Sequence, residues 1–101
     1  MDTESLIKEA KLKFSHIATK QYLKEKYESK LIVAEQFGLW KADEKTISFL
    51  SSFDTDELIL IDTFGNPVKI NRVELLKTLQ NVYQTVMQEW YNEYSATEYK
   101  R

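Results

Sequence analysis

The 101-residue chain has no cysteine, one proline, two glycines and one histidine. Without cysteine there is no disulfide, no thiol nucleophile and no thiolate metal site, an inventory that suits a reducing cytoplasm. So few glycines and prolines exclude a turn-rich, all-β fold, because tight turns consume these residues. They point instead to long helices with few corners. No apolar run approaches the roughly 20 residues that span a bilayer. The start, MDTESLIKEA, is acidic and polar and does not read as a signal peptide.

What is present reads as one globular domain. The hydrophobic fraction is 43%, the aromatic fraction 13% and the charged fraction 30%. The net charge is −2 and mildly asymmetric. Residues 1–41 carry eight Lys against six Asp/Glu, and the remainder six Lys/Arg against ten Asp/Glu. The N-terminal lysines are interleaved with Glu9, Glu25 and Glu28, the pattern of a solvated helix face. Nucleic-acid modules carry a larger and more clustered basic excess. No nucleic-acid and no membrane partner is therefore expected.

Periodicity predicts an α+β, mainly helical fold. Leu6, Ala10, Phe14, Ile17 and Gln21, then Leu23, Tyr27, Leu31 and Ala34, step by threes and fours. They predict a helix over about 3–37, capped by Thr3 or Ser5 and terminated by Gly38. The pattern also admits a break near Ala18–Thr19 or at Ser29, and LIVA alone reads equally as a buried strand. Asp43 is a natural N-cap for a short helix over about 43–52. Leu58–Ile61 reads as a strand, and Val68–Ile70 alternates as a second one. Together they predict one β-hairpin over about 57–62 and 67–70. Its DTFG corner has the residues of a type I turn, Asp62 first and Gly65 fourth and left-handed. Pro67 cannot donate to a ladder and belongs at a strand start or an edge.

Asn71, followed by Glu74, starts the last helix, over about 71–99. Its stripe is Leu76, Leu79, Tyr83, Val86, Trp90 and Tyr94, widened by Leu75 and Val82. The expected architecture is two long antiparallel helices with the short helix and the hairpin across one end. The expected core is Phe14, Ile17, Leu31, Ile47, Leu50, Ile59, Ile61, Val68, Leu76, Leu79, Tyr83, Val86 and Trp90.

Chemistry-bearing motifs are sparse. His16 lies one residue from the apolar stripe with no orienting partner in sequence, and reads as a boundary histidine. DTDE, Asp54–Glu57, fails the EF-hand pattern, which needs a central Gly where Ile59 stands. DTFGN lacks the second Gly, the Lys and the Ser/Thr of a phosphate loop. No catalytic residue, metal ligand or cofactor is expected, and the chain reads as a non-enzyme. The last helix is rich in rigid aromatics, Tyr83, Trp90, Tyr91, Tyr94 and Tyr99. These are the candidate partner-binding residues, because Tyr and Trp anchor protein interfaces.

The order of elements, with ADEKTISFL leading to IDTFGNPVKINRVELL, resembles a domain of unknown function found in bacteriophage and prophage tail proteins, often in or near tail-fibre assembly proteins. The matching positions are Asp43 and Ile47, then Asp62, Gly65, Val68, Ile70, Glu74 and Leu75, within residues 18–100. Where that family has Trp in the strand before the turn, this chain has Ile59 and Ile61, and Pro67 lies outside the pattern. The resemblance implies a non-enzymatic, phage-related protein working through protein–protein contacts or self-association, as a tail component or tail assembly chaperone. Its place would be the host cytoplasm or the virion. The alternative is a small phage effector that binds and inhibits a host protein.

Overall fold

A computed structural model describes residues 17–98. The expectations that fall on Thr3, Ser5, Phe14, His16 and Tyr99 lie outside the described residues. The first helix, α1, is helical through residues 17–29. Leu23 and Tyr27, one turn apart, are buried and set its packed face. The helix ends earlier than the expected 37. Lys30 and Leu31 close it with tight bonds from their amides to the Tyr27 and Glu28 carbonyls, both 3.1 Å. Its last turn is further tied by the Ser29 hydroxyl, which donates to the Lys26 carbonyl at 2.6 Å.

The segment expected to continue this helix is a hairpin. Strand β1, Ile32–Glu35, pairs antiparallel with β2, Gly38–Lys41. The Ala42 amide donates to the Leu31 carbonyl at 2.7 Å and extends the ladder by one rung. β-Branched Ile32 and Val33 favour the strand. Gly38 is thus a strand residue rather than a helix terminator. A Cβ there would lie 2.4 Å from the Trp40 ring, so glycine is what lets the indole fold back over the strand. Trp40 is buried in consequence.

Helix α2, Glu44–Ser51, begins as expected, with the Thr46 amide donating to Asp43 Oδ1 at 2.8 Å. Ser51 and Ser52 hydroxyls donate to the Ile47 and Phe49 carbonyls and close its end. Strand β3, Glu57–Ile61, pairs with β4, Pro67–Asn71, in antiparallel register. Gly65 takes φ +85° and donates to the Asp62 carbonyl at 2.9 Å, completing the type I turn, and the Asp62 amide donates to Asn66. Antiparallel bonding alternates. With Asp62 and Asn66 as a bonded pair, the Ile61–Pro67 pair is non-bonded. The missing amide of Pro67 therefore costs the ladder nothing.

Helix α3, Arg72–Glu98, is 27 residues, about 40 Å long. Asn71 Oδ1 accepts from the Glu74 amide at 3.0 Å, the expected cap. α3 is the spine of the molecule. Its first half carries α2 and β4. Its second half carries α1 running antiparallel, with Tyr27 beside Trp90 and Glu93, and Lys30 beside Glu89. Arg72 draws the ends together, its guanidinium donating to the Thr55 and Leu50 carbonyls.

The core gathers Leu23, Tyr27, Leu31, Trp40, Ala42, Leu50, Ile70, Leu75, Leu79 and Val86. Of the residues expected there, Leu31, Leu50, Leu79 and Val86 are buried, while Ile47, Val68, Leu76, Tyr83 and Trp90 are half-buried. Ile17, Ile59 and Ile61 are not core residues. They are 64%, 67% and 67% exposed. Leu58 and Leu60 face inward instead, because they pair with Ile70 and Val68, while Ile59 pairs with Lys69. Among the described residues the architecture is α+β with three helices, as expected, but with two hairpins rather than one.

Candidate protein-binding surface

Two hairpin tips meet at one place. The β1–β2 turn is only Gln36 and Phe37, and both have positive φ, 47° and 63°. Two residues at positive φ make a type I′ turn, whose twist matches that of the strands and which Asn-Gly normally supplies. Here the residues are bulky. Gln36 is held by Asn71, its Nε2 donating to the Asn71 carbonyl at 3.2 Å and its Oε1 accepting from the Asn71 amide at 2.6 Å. Phe37 has no such role and is fully solvent-exposed, at 103%. A left-handed bulky side chain is a local outlier that the surrounding structure must enforce.

The second tip is the β3–β4 turn. Asp62 Oδ1 accepts from the Phe64 and Asn66 amides, both at 3.0 Å. Oδ2 accepts from the Leu39 amide at 3.3 Å, and the Thr63 amide donates to the Leu39 carbonyl at 2.9 Å. A buried carboxylate thus fastens the turn of the second hairpin to β2 of the first. The Asn66 amide, followed by those of Leu39, Phe64 and Gly65, holds the Asp62 carboxyl below the usual carboxylate range against the opposing effect of burial. Phe64 rides on this turn, three-quarters exposed. Phe37 and Phe64 border one shallow cleft of about 530 Å³, with Glu35, Leu39 and Asn66 along its walls.

The aromatics singled out on α3 are distributed differently. Tyr83 donates to Glu44 Oε1 at 2.7 Å, tying α3 to the first turn of α2, and this bond holds the phenol above its usual range. Trp90 stacks on Tyr27, with ring centroids 5.9 Å apart. Tyr27 in turn donates to Glu93 at 2.5 Å, and Lys26 pairs with the same carboxylate at 2.9 Å. Lys26, then Tyr27, lowers the Glu93 pKa, and Glu93 raises both of theirs. Tyr94 and Trp90 line a groove of about 400 Å³ with Ile17, Lys20 and Lys24 of α1. Tyr91 is exposed. Asp62, Gly65, Pro67 and Asn71 occupy the turn and cap positions expected of them.

Phe37 and Phe64 escaped the sequence reading. A large aromatic inside a turn is the signal that could have found them. Phe64 stands at the third position of DTFG, and Phe37 directly precedes Gly38. Among the described residues, no three His, Asp or Glu side chains gather as metal ligands would, and no helix is long and apolar enough to cross a membrane. No family model, curated protein or solved structure matches the sequence.

Proposed function

We propose that the protein works by contact with another protein, and that the cleft between the hairpin tips is where it does so. The observation that carries this reading is Phe37, fully exposed and in a left-handed conformation that a bulky residue adopts at a disadvantage. Nothing it touches within the fold accounts for that choice. A rigid aromatic anchor offered to a partner does, and Phe64 on the neighbouring tip supplies a second one. The Asp62–Leu39 bond fixes the two tips relative to each other, so less ordering is left to be done on binding.

The resemblance through Asp43, Ile47, Asp62, Gly65, Val68, Ile70, Glu74 and Leu75 supports a phage-related setting. In that setting the protein is a non-enzymatic tail component or tail assembly chaperone. Co-expression with tail proteins encoded beside it tests this. A stable complex that Phe37→Asn disrupts, with the fold intact, is the expected result, since Asn tolerates the left-handed region but offers no aromatic ring. A chain that stays monomeric at high concentration and captures none of those proteins overturns it. A complex with a host protein instead transfers the reading to an inhibitory effector.

A further inference from the structure

A second surface lies beyond the tips, where β3 faces α2. The bonded pairs of the second hairpin alternate outward from Asp62–Asn66, so Leu60 pairs with Val68 and Leu58 with Ile70 through the ladder. The amides and carbonyls of Ile59 and Ile61 therefore point away from β4. None of them meets a partner among the described residues. The edge of β4 is guarded by contrast. Pro67 lacks an amide, Lys69 is charged, and the Gln36 side chain occupies the Asn71 amide and carbonyl. From Ile59 to Ile61 the β3 edge has no such device, and the one charge on the strand, Glu57 at its start, is paired with Lys69. Beside it runs a groove of about 390 Å³, walled by Leu60 and Ile61 on one side and by Phe49 and Lys45 of α2 on the other. Lys41 of β2 stands at the same groove. Neither Lys41 nor Lys45 meets a carboxylate among the described residues.

An open strand edge, an apolar wall and two uncompensated ammonium groups define one kind of occupant. We propose that the groove between β3 and α2 takes an extended, acidic segment of a partner protein. The segment adds as a strand to the Ile59–Ile61 edge, seats an apolar side chain between Ile61 and Phe49, and sets a carboxylate toward Lys41 and Lys45. Main-chain bonds to the edge supply affinity without reading sequence, while the apolar seat and the lysines supply selectivity. Neither Phe37 nor Phe64 lines this groove, although Asp62 borders both clefts.

The test uses the full chain and fluorescein-labelled peptides of about eight residues alternating Val and Glu, a typical strand length. The control peptides alternate Val and Lys. The acidic peptides bind, more weakly as salt rises to about 0.5 M, and the basic ones do not. The double variant Lys41→Glu/Lys45→Glu weakens binding at least about tenfold. Ile61→Pro abolishes it while far-ultraviolet circular dichroism stays that of the parent, because the Ile61 amide serves no bond to β4. Equal binding of acidic and basic peptides overturns the proposal, as does no binding. So does light scattering that shows the edge occupied by a second copy of the chain, with no peptide taken up. Should Ile61→Pro unfold, the lysine variant and the salt dependence decide alone.

Discussion

Replacing Phe37 by glycine should make the protein more stable and less functional at once. At φ 63° an L-residue loses about 1–2 kcal/mol relative to its right-handed conformations. Glycine has no such penalty, and the second position of a two-residue type I′ turn is where it is most favoured. Against this stands the greater freedom glycine has in the unfolded chain, about 0.5–1 kcal/mol. No packing is forfeited, since the ring is fully exposed. The net gain is about 0.5–1 kcal/mol, a rise in melting temperature of roughly 2–8 °C for a domain of this size. Urea titration followed by Trp40 and Trp90 fluorescence measures it. Partner capture should fall in the same variant. A loss of stability beyond about 1 kcal/mol would show that the ring carries a contact within the fold, and the assignment of Phe37 as an anchor would fail with it.

Four further outcomes are expected. Leu79→Ala, at a fully buried position on the inner stripe of α3, should cost about 2–5 kcal/mol in urea titration. Gly65→Ala meets open space, so its effect should come from φ +85° alone, about 1–2 kcal/mol, and an unchanged midpoint would contradict the observed turn. Gly38→Ala should displace the Trp40 indole, costing about 1–3 kcal/mol and shifting its fluorescence toward that of solvated indole. The folded-state pKa values of Asp62 and Glu93 are depressed, by the Asn66 amide and by Lys26 respectively. Their contribution to stability is therefore complete above the ordinary carboxylate range and is lost as pH falls through the depressed values. Stability measured from neutral pH downward should fall on this limb, and Asp62→Asn should flatten it. A parent protein no less stable in acid would refute the paired roles of these carboxylates.

The parts of the fold that announced themselves in sequence did so through local chemistry that the structure uses directly. Asp43 and Asn71 cap their helices with the side-chain bonds their residue types suggest, and DTFG folds as its Asp and Gly require. The first hairpin was hidden for an equally physical reason. Its turn is Gln-Phe where Asn-Gly would be the signal, and its helix-to-strand junction at Lys30–Leu31 has neither Gly nor Pro. Apolar residues spaced by threes and fours therefore ran on unbroken from α1 into β1. The facing of β3 was ambiguous for a different reason, since Leu58 to Ile61 are all apolar and carry no alternation. The polarity lay at the strand's start, in Glu57, and in the partner strand. Glu57 and Lys69 form an ion pair on the face that carries Ile59 and Ile61, and that charged face is the outward one.

These two failures of local reading coincide with the two surfaces assigned to binding. A turn built for stability would hold Asn-Gly at 36–37, and a strand built only to cover a core would carry polar residues at 59 and 61. Local preference and global fold agree over α2, the second turn and the start of α3, as they do in sequences selected for folding alone. They part at Phe37 and along the exposed face of β3, and selection for something other than folding is the economical account of such departures. The double substitution Ile59→Thr/Ile61→Thr puts that account to the test. Threonine keeps the β-branched preference for a strand and removes two exposed apolar surfaces. Stability by urea titration should change by less than about 0.5 kcal/mol, while solubility rises and capture of acidic peptides by the β3–α2 groove falls. A large loss of stability would mean that the outer face of β3 is packed, and the groove would then have no reason to be kept apolar except the fold itself.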